Sequence, residues 1–187
     1  TFTFAEVVFA PPPPPPPPPR IDDDFERTPV GAKPGRVAQL VTENKGDSIA
    51  VTDETAAAGK HSLKIVDAPD LQHDFNPHFA YTPDYRTGRS VCRFHIRLGE
   101  GVRLYHEWRS WDVQPYRTGP SLWFEGNALR VGGQTLLTVP LNTWFEVEVS
   151  AKVGDDADGT WALTVWVPGQ EAQSFPDLRV VHADFRN

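Results

Sequence analysis

The chemistry of this chain concentrates in residues 102–111, VRLYHEWRSW. Successive side chains of an extended strand point to opposite faces. Arg103, Tyr105, Glu107, Arg109 and Trp111 therefore share one face, and Val102, Leu104, His106 and Trp108 share the other. The run 90–98 sorts the same way: Cys92, Phe94, Ile96 and Leu98 form an apolar face opposite Arg93, His95 and Arg97. In 160–167, Trp161, Leu163, Val165 and Val167 face inward, leaving Trp166 on the polar side. If these polar faces belong to one sheet, Arg93, His95, Tyr105, Glu107, Arg109, Trp111 and Trp166 form a ligand-binding set. Aromatic rings accept the apolar C–H faces of sugars, and planar charged groups orient hydroxyls and carboxylates. The alternative is a solvated face laced with Arg–Glu pairs across strands.

Other chemistries find less support. Glu146 and Glu148 share a strand face, but adjacent same-face positions lie about 6.5–7 Å apart. A retaining glycosidase needs carboxyls about 5–5.5 Å apart. The stretch 154–159, GDDADG, reads as a polar turn, because Val165 stands where a calcium loop needs its bidentate glutamate. Asp22, Asp23 and Asp24 read as a solvated entry to the domain. His61, His73 and His78 match no strong zinc spacing and read as surface or loop-packing residues. No metal site or cofactor is expected, a structural calcium being the one option left open. The single cysteine, Cys92, makes no internal disulfide and falls on an apolar face, as a small buried hydrophobe would. No Gly-x-Ser-x-Gly nucleophile motif occurs.

The elements that must position these residues are strands. Candidate strands are 36–42, 48–52, 62–66, 90–98, 102–111, 121–124, 128–131, 134–139, 144–153, 160–167 and 179–185. Gly132-Gly133 and Asp158-Gly159 mark hairpin turns between them. So many short alternating runs mean an all-β fold, an antiparallel sandwich or barrel. That domain occupies residues 21–187. Ahead of it, residues 1–10 alternate as an extended arm, and residues 11–20 form a polyproline II linker. Its nine prolines make a rod of about 28 Å, from the ~3.1 Å rise of that helix. An isolated strand cannot bury Phe2, Phe4 and Phe9, so the arm is expected to add to a sheet edge, a partner's or its own.

Composition narrows the partners. Lys and Arg number 18 against 25 Asp and Glu, a net charge of −7, which argues against nucleic acid and anionic membrane surfaces. No apolar stretch approaches the ~18 residues of a membrane span. The opening segment carries Glu6 and lacks a basic start, so it reads as a strand and not as a secretory signal. The chain contains no methionine, which points to a processed chain or a fragment, with a removed leader expected.

Asp24-Phe25-Glu26, Pro29-Val30-Gly31, the run 59–64 (GKHSLK), Glu107-Trp108-Arg109, Gly119-Pro120, the run 141–148 (LNTWFEVE), the run 159–165 (GTWALTV) and Pro168-Gly169 occur in this order. Together they resemble the concanavalin A-like, or laminin-G-like, jelly-roll domains of large exported bacterial proteins. The resemblance implies a two-sheet antiparallel jelly-roll sandwich with a concave face, in the periplasm, the cell envelope or secreted. It implies a non-catalytic module that recognises a glycan or a protein partner. A second option is an accessory subunit of an envelope complex, held through residues 1–19. A third is a polysaccharide lyase. Some jelly-roll lyases carry an Arg-x-Glu-x-Arg strand, and Glu107-Trp108-Arg109 echoes half of it, but their Gln-x-His strand and Tyr/Lys-rich closing strand are not found. In that option Arg109 neutralises a uronate carboxylate, His95 takes the C5 proton and Tyr105 protonates the leaving oxygen.

Overall fold

The computed structural model describes residues 11–12 and 20–186. Among them run β1 (Gln39–Val41), β2 (Ser48–Thr52), β3 (Ser62–Val66), β4 (His78–Ala80), β5 (Gly88–Arg97) and β6 (Arg103–Ser110). There follow β7 (Arg117–Glu125), β8 (Ala128–Val131), β9 (Gln134–Thr138), β10 (Trp144–Val153), β11 (Thr160–Trp166) and β12 (Gln173–Arg179). Two antiparallel four-stranded sheets, ordered β12-β11-β10-β5 and β6-β7-β8-β9, form a sandwich. Two ribbons, β1-β4 and β2-β3, accompany them. The all-β reading of the sequence holds. The arm, with Phe2, Phe4 and Phe9, and residues 13–19 of the proline run lie outside the described residues.

The core follows from period-two alternation. Along β10, Phe145, Val147, Val149, Ala151 and Val153 are buried, as are Trp161, Leu163 and Val165 of β11. Leu122 and Phe124 of β7 and Leu129 of β8 meet them from the second sheet. The rings of Phe124 and Phe145 pack edge to face at 5.9 Å between centroids. Each fully buried side chain of this size contributes about 1.5–3 kcal/mol through the water it leaves. Trp161 also donates its indole N–H to the Arg179 carbonyl at 3.0 Å, so its one polar atom is satisfied inside the core.

Most expected strands appear, with two differences. The last strand is Gln173–Arg179, not 179–185. Pro176 argues against a strand there, but β12 is the sheet's edge, where a missing N–H costs no ladder bond. Residues 180–186 instead cross to the second sheet as a strap. Val181 N–H donates to Gly119 O at 3.2 Å, and His182 N–H to Thr118 O at 2.9 Å. Thr118 N–H donates in turn to His182 Nδ1 at 2.9 Å. The second difference is an added strand, β4, whose three residues are too short to show alternation. The β8–β9 hairpin closes on Gly132 and Gly133 at φ 56° and 81°, as their positions indicate. No helix among the described residues is long and apolar enough to cross a membrane.

Two features generate stability predictions. The strap ends with Phe185 buried against Gly119, where a Cβ would stand 2.6 Å from the ring. Gly119→Ala must displace that ring, and we expect urea unfolding to show a loss of about 1–3 kcal/mol. The second feature is His106 on the inner side of β6. Its Nε2 is sealed from solvent with no hydrogen-bond partner, and its ring lies 5.2 Å from that of Phe94 of β5. Burial pushes its pKa down from 6.5 to about 4. The unfolded chain therefore binds this proton first, and stability falls as pH drops from 6.5 to about 4. His106→Leu should flatten that dependence in unfolding titrations over the same window.

Candidate functional site

Register decides what shares the outer face of the second sheet. Strand β6 pairs with β7 so that Tyr105 opposes Trp123, Glu107 opposes Ser121 and Arg103 opposes Glu125. The Tyr105 and Trp123 rings stack at 4.4 Å with 26° between their planes. The Arg103 guanidinium covers Trp123 at 4.6 Å and meets Glu125 at 3.4 Å. Glu125 also holds Arg130 at 2.7 Å, and Arg130 is the leading cause of its lowered carboxyl pKa. At the far end Arg109 Nε donates to Glu107 Oε1 at 2.6 Å. The Arg109 guanidinium lies 4.5 Å from the Tyr116 ring and 5.8 Å from Trp111, whose rings are 4.8 Å apart. Glu107 accepts a further bond from Thr118 Oγ1 at 3.1 Å. Burial raises the phenol pKa of Tyr105, and the Glu107 carboxylate adds to the shift. Three guanidinium groups thus meet two carboxylates on an aromatic floor.

A histidine belongs to the same neighbourhood. His78 opens β4, and burial, followed by the charge of Arg109, lowers its pKa. Its Nδ1 lies 2.9 Å from Asn76 Oδ1. Asn76, only 7% exposed, donates from Nδ2 to Glu43 Oε1 at 2.6 Å. Glu43 also accepts from the backbone N–H of Gln72 at 2.6 Å and pairs with Lys45 at 3.1 Å. These donors, Gln72 first, bring its carboxyl pKa to about 2. The Phe75 ring stands edge-on to His78 at 5.7 Å.

The structure divides the residues singled out from the sequence. Tyr105, Glu107 and Arg109 come together on this face, with Trp111 just beyond β6. Arg93, His95 and Trp166 lie on the outer face of the other sheet, across the sandwich. There Arg93 Nε donates to Glu148 Oε2 at 2.9 Å and faces Glu146 at 3.3 Å. The Arg93 guanidinium covers Trp166 at 5.1 Å, and His95 Nε2 is 3.8 Å from Glu146. The cause is topological. Consecutive strands β5 and β6 fall in different sheets, and the Phe94–His106 contact joins their inner sides. Their outward residues therefore point away from each other, and His95 cannot serve a ligand held by Arg109. Trp123, Tyr116, Asn76 and Glu43 escaped the sequence reading, which took His78 only as a surface or loop-packing histidine. The parity of Trp123 against buried Leu122 and Phe124 was a usable signal, whereas nothing in sequence joins Glu43 to Asn76. Among the described residues no group of three or more His, Cys, Asp or Glu is placed to hold a metal ion.

No family model matches the chain, and no curated protein does. Among solved structures it is similar to an endo-β-1,4-glucuronan lyase from the fungus Trichoderma reesei, with a TM-score of 0.56 and 14% identity. The match covers 81% of this chain and 76% of that one. At this identity the likeness is one of fold, and it supports a two-sheet β-sandwich.

Proposed function

We propose that this chain is a recognition module of the concanavalin A-like type that binds an anionic, uronate-bearing glycan on the outer face of β6 and β7. The observation that carries the reading is Arg109, fixed by Glu107 and lying over Tyr116 beside the Tyr105–Trp123 stack. A guanidinium on a rigid aromatic floor offers forked donors to a carboxylate while the rings take the sugar's C–H face. Arginines outnumber carboxylates on this face although the chain as a whole is acidic. A glycan-binding module of this kind belongs outside the cytoplasm, in the periplasm, the envelope or the medium.

A second reading, a polyuronate lyase, is favoured by His78 standing within the electrostatic reach of Arg109. In β-elimination, Arg109 would pair with the carboxylate and His78 Nε2 would take the C5 proton. The C5–H electrons form the C4–C5 double bond, the C4–O bond breaks, and the leaving oxygen takes the Tyr105 phenolic proton. The fold likeness to a glucuronan lyase agrees with this reading without carrying it.

Calorimetric titration of the full chain with polyglucuronate, and with neutral β-glucan as control, tests the first reading. Arg109→Ala should weaken polyglucuronate binding about tenfold or more, equivalent to about 1.4 kcal/mol, and Trp166→Ala should leave it unchanged. Equal loss in the two variants, or preference for the neutral glycan, overturns the placement of the site. The second reading is decided by ultraviolet absorbance of unsaturated uronate products. Turnover that His78→Gln abolishes while binding survives makes the protein a lyase, and silence leaves the recognition module.

A further inference from the structure

Carboxylates accept hydrogen bonds and cannot donate them, and this fixes the polarity of the chain from Glu43 to His78. Glu43 Oε1 lies 2.6 Å from Asn76, so the Asn76 amide must present its NH2 there and turn its carbonyl toward His78. That carbonyl can only accept, so the imidazole nitrogen 2.9 Å away must carry the proton. We infer that Glu43 and Asn76 are positioning residues that hold His78 as its Nδ1–H tautomer, leaving Nε2 as the ring's proton acceptor. The use of that acceptor rests on the glycan reading above; the tautomer does not.

Several observations converge. With the proton on Nδ1, the lone pair of the neutral ring lies on Nε2. Glu43 is anchored by Gln72 N–H, by His73 N–H at 3.4 Å and by Lys45, so it cannot swing away and release the amide. Asn76 is nearly enclosed, which leaves water little access to compete. The charged groups bearing on the imidazole are Arg109 from β6 and, through Asn76, the Glu43–Lys45 pair; His73 lies behind Phe75, its ring stacked on that phenyl at 4.8 Å. A cation nearby and a buried ring both favour neutral imidazole, in agreement with its lowered pKa. In a uronate site the unprotonated Nε2 would accept a sugar hydroxyl proton in binding, or the C5 proton in elimination. Either role needs this tautomer and is lost in the other.

The test is long-range proton–nitrogen correlation spectroscopy of the His78 ring in the full-length, 15N-labelled chain above neutral pH. The wild type should show the Nδ1–H tautomer in excess by about tenfold. Glu43→Gln introduces an amide that can donate as well as accept, and should bring the two tautomers toward equal population. Asn76→Ala removes the acceptor while leaving the backbone bonds of Glu43 in place, and should shift the ring toward Nε2–H. A wild-type ring protonated at Nε2 overturns the inference, as do folded variants whose tautomer stays that of the wild type. Polyglucuronate titration runs alongside: the expected tautomer with no binding rejects the glycan reading and leaves the positioning role standing.

Discussion

Between β5 and β11, strand β10 satisfies backbone hydrogen bonds along both edges while its inward side chains fill the space to the opposing sheet. Both functions require strict alternation over ten residues. A one-residue slip would bury Glu146 and Glu148 and expose Phe145, Val147 and Val149. Because β5 and β11 are both registered against β10, that alternation also aligns Cys92, Phe94, Trp161 and Leu163 with the core. The second sheet is then placed by what it must cover, and Phe124 against Phe145 is the contact that seats it.

Crossing from β5 to β6 takes the chain from one sheet to the other, so each sheet presents its own outward face with its own charges. On the β5–β10 face Arg93 is bracketed by Glu146 and Glu148 and covers Trp166, which leaves both the cation and the ring engaged. On the β6–β7 face the aromatic floor is wider, and Arg109 meets Glu107. Arg93 is thus bracketed by two carboxylates, whereas Arg109 is paired with one. Surface pairs of this kind contribute little stability, typically below about 1 kcal/mol.

Parity along β5, β6, β10 and β11 was legible in the sequence, because half-buried strands write their two faces directly into alternate positions. The all-β architecture and the Gly-Gly hairpin followed from the same local rules. What local rules could not supply was which strands lie side by side. Arg93 and Arg109 look equivalent along the chain, and only the change of sheet after β5 separates them. The Glu43–Asn76–His78 chain was hidden for a related reason: its members sit in two loops and a three-residue strand, with Glu43 and Asn76 33 positions apart in sequence.

Glu107 is both the support of Arg109 and the competitor of any anionic ligand. A guanidinium presents five N–H groups in a rigid fork, and Glu107 engages the Nε and Nη2 side. On the proposed reading, an incoming carboxylate meets a cation already half neutralised. Long-range attraction is reduced by that pairing, but the cost of ordering the arginine side chain has been met before binding. The balance favours a site that selects by shape and fork geometry over one that gathers anions indiscriminately. On the proposed reading, single-site affinity is modest, so that a repeating polyuronate, contacting Arg109 at one sugar and Arg103 over Trp123 at another, would be held far better than its monomer.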